Sequence, residues 1–166
     1  MKLFSFVLVL TILVLHAEAL KDLMGTPIQK CVNCLCHARS GCWSRFNCAR
    51  YSVSFDYWKV AGSPVLSPDD DPDSQDSYKK CMANENCIVN TIDKYTTSFG
   101  EIDCNCDGKF DCKDRYAIHL HGRNCENPQF GERYARRFNH CARSIGVAEM
   151  LEKEGYDGCN PFVDTV

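Results

Sequence analysis

Thirteen cysteines fall between residues 31 and 159 of a 166-residue chain, five of them inside the stretch CVNCLCHARSGCWSRFNC at 31–48. No other feature restricts the fold as much. Each bridge dictates which segments must lie together, and each removes freedom from the unfolded chain. Bridges at this density belong to an oxidising compartment, and the start of the chain agrees. MKLFSFVLVLTILVLHAEA carries a basic Lys2, an apolar run from Leu3 to Leu15 and the small-x-small Ala17-Glu18-Ala19. That is the pattern of a signal peptide over residues 1–19. The run is too short for a membrane span, and no later stretch is apolar enough to make one. The expectation is a secreted, extracellular protein with no membrane partner, mature from about Leu20. Zinc is disfavoured: Cys31-x-x-Cys34 and Cys104-x-Cys106 lack matching Cys/His pairs at finger spacing. An odd cysteine count means that at least one thiol is unpaired or bonds between chains, which leaves a disulfide-linked dimer open.

The net charge is −3, and removing the leader takes away one Lys and one Glu. Such a balance argues against nucleic acid as a partner and supplies no long-range pull toward anionic surfaces. A mature chain of about 147 residues suits one domain. The expected organisation is an N-terminal extension over 20–30, a domain over 31–141, and a C-terminal helix and tail over 142–166.

Local patterns divide the domain further. YSVSFDYW (51–58) alternates, with Tyr51, Val53, Phe55 and Tyr57 on one side and Ser52, Ser54, Asp56 and Trp58 on the other. Period two predicts a strand, with Trp58 on the exposed face. SPVLSPDDDPDSQDS (63–77) is an acidic Pro/Ser segment and predicts a solvated, mobile loop. CIVNTIDKYTTSF (87–99) spaces Ile88, Ile92, Tyr95 and Phe99 as one helical face ended by Gly100. A short helix fits Asp114 to Leu120. Phe130, Tyr134, Phe138 and Cys141 form another helical stripe, and VAEMLEKEG (147–155) reads as an amphipathic helix. The predicted class is α+β: a small disulfide-rich domain, mostly helical with a short strand region.

DCNCDGKFDCKD (103–114) fits two patterns. Asp103, Asn105, Asp107, the Lys109 carbonyl and Asp114 fall at positions 1, 3, 5, 7 and 12 of a calcium loop, with Gly108 at the turn. The same residues also make a tight polar turn in which Asp111 or Asp114 caps the next helix.

Taken in order, Cys31-x-x-Cys34-x-Cys36, Ser40-Gly41-Cys42, Tyr57-Trp58, Ala61-Gly62-x-Pro64, Cys81-x5-Cys87, NTIDKY (90–95), Asp103-Cys104-Asn105, Asp111-Cys112, YAIH (116–119), Cys125 and Cys141 resemble the invertebrate-type (i-type) lysozymes, or destabilase family, and most closely their insect branch. The resemblance implies a lysozyme-like fold and a secreted antibacterial or digestive glycosidase acting on the glycan of bacterial peptidoglycan, with no cofactor required. It also makes disulfide cysteines of Cys31, Cys34, Cys36, Cys42, Cys81, Cys87, Cys104, Cys112, Cys125 and Cys141. Cys36–Cys42 and Cys81–Cys87 read as short local bridges. Cys106 and Cys159 lie outside the family's pattern and make a further candidate pair, with Cys48 the leading candidate for an orphan. Ala61 and Thr91 stand where non-insect members carry two cysteines.

Glycan hydrolysis needs a protonated carboxyl for the leaving oxygen and an ionised partner for the oxocarbenium-like centre. In active relatives the acid is a Glu between the cysteines matching Cys36 and Cys42, and here Arg39 stands in its place. The segment bearing the partner Asp is shortened to WSRFN (43–47), and a gap-free match puts Tyr51 there instead. Arg39 cannot act as a general acid. Asp56 and Glu101 are the substitutes that a relocated acid pair would use. The expectation is therefore a pseudoenzyme that binds wall glycan through Tyr51, Tyr57 and Trp58. The rivals are a hydrolase with non-standard carboxylates and a disulfide-rich interaction protein. His119 matches the family histidine proposed for a second, peptidase-like activity, with Ser52 and Ser54 as the nearest hydroxyls in sequence.

Overall fold

The structure, a computed structural model, describes residues 20–41, 53–125 and 132–146. These residues form six helices: α1 Pro27–Ser40, α2 Phe55–Val60, α3 Gln75–Cys81, α4 Glu85–Thr97, α5 Cys112–His121 and α6 Glu132–Ile145. Most begin on a polar cap that meets an otherwise orphaned backbone N–H. Thr26, Ser54, Ser74, Asn84 and Asp111 take this role for α1 to α5 in turn. Pro27 opens α1, where its missing N–H costs nothing. Gly41 closes that helix at φ 77°, donating its N–H to the His37 carbonyl at 2.7 Å.

α4 is the hub. It packs against α1, α2, α3 and α5, while α6 lies along α1. Ile88, Val89 and Ile92 of α4 meet Val32 and Leu35 of α1, Trp58 of α2 and Tyr116 of α5 in one buried cluster. Phe138 joins it from α6, stacked on Tyr116 with ring centroids 5.7 Å apart. A smaller cluster gathers Cys104, Ala117, Ile118 and Cys125 beneath Phe99, Ile102 and Phe110. Residues 20–23 are clamped to α4: Asn86 and Asn90 donate to the Lys21 carbonyl, and Asn86 accepts from the Leu23 N–H.

Four bridges are described. Cys31–Cys112 ties α1 to α5, Cys34–Cys141 ties α1 to α6, Cys81–Cys87 joins α3 to α4, and Cys104–Cys125 closes the loop ahead of α5 over its own end. The expected Cys81–Cys87 bridge is present. Cys106 is also disulfide-bonded, and Cys36 is buried on α1. Cys42, Cys48 and Cys159 lie outside the described residues, so the pairings Cys36–Cys42 and Cys106–Cys159 do too. The signal segment 1–19, the shortened segment 43–47, Tyr51, Ser52, Phe130 and the 147–155 helix fall outside them as well.

The domain is small, mostly helical and disulfide-rich, and among the described residues there is no strand. The expected strand is corrected over its described part. Residues 53 and 54 lead into a helix, not a ladder, because Ser54 Oγ accepts from the Tyr57 N–H at 3.1 Å and starts a turn. Trp58, expected on an exposed face, is fully buried, with its indole N–H donated to the Pro64 carbonyl at 2.9 Å. Burying so large a side chain is worth about 2–3 kcal/mol. Tyr134, placed on the core stripe of α6, is instead exposed, while Phe138, Cys141 and Ala142 are buried. Segment 63–77 is more ordered than a mobile loop. Asp70 and Asp71 accept from the backbone N–H of Ser67 and Asp73, Lys59 and Lys80 pair with Asp73 and Asp70, and residues 75–77 already belong to α3. Among the described residues, no helix is long and apolar enough to cross a membrane.

Candidate functional site

Three of the residues singled out from the sequence converge. Tyr57 on α2 and His119 on the last turn of α5 are hydrogen-bonded, phenol oxygen to Nδ1, at 2.9 Å. Tyr95 of α4 stacks on Tyr57, with ring centroids 3.5 Å apart and planes within 17°, and Phe99 meets Tyr95 edge-on. Arg39, on the last turn of α1, is exposed, and its charge reaches both His119 and Tyr116.

The electrostatics of this group follow from burial. Desolvation, aided by Arg39, brings His119 down to about 4, so the imidazole is neutral at pH 7. Burial raises Tyr57 well above the usual phenol value. Tyr95 pushes the same way, and Arg115 pulls against them. Tyr95 and Tyr116 are also raised by burial. Among the described residues, the charged groups that shift the Tyr57–His119 pair are therefore the guanidiniums of Arg39 and Arg115. Arg115 is itself held by Asp93 and Thr96, each at 2.8 Å, and lies over the Phe110 ring.

This arrangement offers a neutral phenol, a neutral imidazole and an exposed guanidinium. It can donate and accept hydrogen bonds. Asp56 is exposed on the first turn of α2, and Glu101 is exposed in the loop after α4. Ser54 commits its hydroxyl to the cap of α2, and the hydroxyl on His119 Nδ1 is that of Tyr57, not of a serine. Tyr57 is itself largely buried, at 8% exposure. Tyr95, Tyr116 and Arg115 were not anticipated as part of the site. Tyr95 lies inside the NTIDKY motif, whose helical spacing marks it as a core residue and does not reveal the ring it stacks on.

The 103–114 loop closes on itself. Asp103 accepts the backbone N–H of Asp107 and Gly108, and Asp107 accepts from Asn105 and from the Lys109 N–H. The Lys113 ammonium, 7% exposed, lies 2.6 Å from Asp107 and 3.8 Å from Asp111. Asp114 is fully buried and forms the capping box of α5 with Asp111, while also accepting the Cys104 N–H. Burial pushes Asp114 up to about 6 against those backbone donors. Among the described residues, no group of three or more His, Cys, Asp or Glu is placed to hold a metal ion.

The fold and this group together define a disulfide-braced helical domain built around a desolvated Tyr–His pair. The model of the Destabilase family matches residues 28–141, well over half of the chain, and the chain belongs to that family. Membership implies a lysozyme-like function directed at peptidoglycan. No curated protein and no solved structure matches the chain.

Proposed function

We propose that this chain is a secreted binder of peptidoglycan glycan, of the insect branch of its family, in which hydrolysis is weak or absent. The observation that carries this reading is the charge at the Tyr57–His119 pair. Among the described residues, the charged groups that act on it are Arg39 and Arg115, both cations. Glycan cleavage requires a protonated carboxyl and an ionised partner about 5–9 Å apart across the bond. On the resemblance in the cysteine series, Arg39 holds the position of the family's acid, and a guanidinium keeps its proton throughout the accessible pH range. It can still donate several hydrogen bonds to sugar hydroxyls or to the carboxylates of the peptide stems. The leader over residues 1–19 and the number of buried bridges support secretion. Ala61 and Thr91, both buried, support the insect branch.

The test is release of soluble fragments from purified peptidoglycan between pH 4 and 8, with co-sedimentation measured on the same samples. The expected result is co-sedimentation without release, weakened several-fold by Arg39→Ala. Release that disappears in Asp56→Asn or Glu101→Gln would replace this reading with that of a hydrolase using relocated acids. The absence of both signals would favour a disulfide-rich protein-interaction role.

A further inference from the structure

α6 is markedly basic for a chain whose net charge is −3. Arg133, Arg136, Arg137 and Arg143 stand on it against one acid, Glu132. The sides of the helix are chemically distinct. Phe138, Cys141 and Ala142 are buried, while Arg133, Arg136 and Arg143 are exposed and Arg137 is half-buried. Arg136 pairs with Glu132. The Arg137 guanidinium lies over Gly41, where an added Cβ would meet it at 3.3–3.4 Å. Gly41 is two residues beyond Arg39, so the arginines of α6 run up to the end of α1 that bears Arg39.

Among the described residues, the densest run of acids lies elsewhere. Asp69, Asp70, Asp71, Asp73 and Asp76 lie in and just before α3, which packs on α2 and α4 and not on α6. Among the described residues, this acidic run and the arginines of α6 are therefore segregated, and α6 presents a cationic face that acts locally within a Debye length.

From this segregation we infer that the Arg133–Arg136–Arg137 face of α6, continued by Arg39, docks an anionic phosphodiester polymer of the bacterial wall; the inference rests on the wall-directed function proposed above. Three features select this partner. The cations of α6 are all arginine, whose planar fork binds phosphate oxygens in pairs, as the lysine point charge does not. They recur over a span of about 15 Å from Arg133 to Arg143 at helical rise, which suits an anion repeated along a chain better than one small ion. The apolar side of α6 is taken up by the core, so the helix has little to insert into a bilayer.

The experiment measures co-sedimentation of the oxidised protein with Gram-positive walls, before and after chemical removal of their phosphodiester polymer, at 50 and 200 mM salt. Competitors are soluble poly(glycerol phosphate), duplex DNA and vesicles rich in phosphatidylglycerol. The wild-type chain is expected to bind intact walls at least tenfold more tightly than stripped ones. That excess should fall steeply with salt and be competed best by poly(glycerol phosphate). R133E/R136E should lose the excess yet bind stripped walls like the wild type, and R133K/R136K, which keeps the charge but not the paired fork, should keep only part of it. Equal binding of R133E/R136E and the wild-type chain to intact walls would overturn the inference, as would stronger competition by DNA or by vesicles. Loss of binding to stripped walls alone, with the salt-sensitive excess intact, would instead sink the glycan-binding reading.

Discussion

His119→Asn separates an imidazole kept neutral by its surroundings from one that is merely packed there. Asparagine retains an acceptor near the position of Nδ1, opposite the Tyr57 hydroxyl, and removes the titration. Burial and Arg39 lower His119 from its ordinary 6.5 to about 4. Between those values the unfolded chain takes up a proton that the folded chain refuses. The stability contributed by the neutral ring is therefore whole above pH 6.5 and is lost as pH falls through 4, by up to about 1.4 kcal/mol per unit. Over the window this amounts to about 2–3 kcal/mol, allowing for the solvent that still reaches a half-buried ring. Asp114 acts in the opposite sense. Its folded value is raised to about 6, so the folded state takes up protons first and gains stability as pH falls from 6 toward 3.8. The two effects overlap, and the wild-type profile alone conceals both. The difference between wild type and His119→Asn at each pH isolates the histidine. Guanidinium unfolding with the disulfides intact, at pH 7, 6, 5 and 4, should show that difference shrinking by about 2–3 kcal/mol across the series. A difference constant to within about 0.5 kcal/mol would refute the reasoning, because His119 would then protonate in the native state as it does in the unfolded one.

Trp58→Phe should cost about 1–3 kcal/mol, since it leaves the buried Pro64 carbonyl without its 2.9 Å donor while keeping most of the ring volume; thermal unfolding measures it, and a loss under about 0.5 kcal/mol would show that the carbonyl is satisfied elsewhere. Millimolar calcium should leave the melting temperature of the chain unchanged relative to chelator, because Lys113 already supplies a cation to Asp107 and Asp114 is committed to the cap of α5; a rise of several degrees would make the 103–114 loop a calcium site.

What was legible in the sequence was whatever depended on neighbours along the chain. The α4 helix showed its face through Ile88, Ile92 and Tyr95, and Cys81–Cys87 could be read because its ends are only six positions apart in sequence. The strand expectation failed because Val53, Phe55 and Tyr57 alternate by coincidence, while one capping hydroxyl at Ser54 turns the same residues into a helix. The 103–114 loop was ambiguous for a physical reason. A calcium loop and a capping box both place a carboxylate where a helix begins; the structure shows the capping box and Lys113 beside Asp107. The Tyr57–His119 pair spans 62 residues, and no local pattern announces a contact over that distance. Arg39 was located by the cysteines around it, and its influence on His119 required the packing of α1 beside α5.

Two of the bridges leave α1 from positions three residues apart, so Cys31 and Cys34 share one face of one helix, yet their partners are 81 and 107 residues away. This has a consequence for the order in which the chain acquires its bonds. Cys81–Cys87 and Cys104–Cys125 close short loops and can form while most of the chain is still unstructured, whereas the bonds from α1 must wait for α5 and α6 to arrive. Neighbouring thiols on one helical turn are also chemically alike, so Cys112 and Cys141 can each be captured by the wrong one. Among the four described bridges, sorting therefore falls on the pair that leaves α1, and a thiol–disulfide isomerase should accelerate that exchange far more than it accelerates formation of the two short-loop bridges.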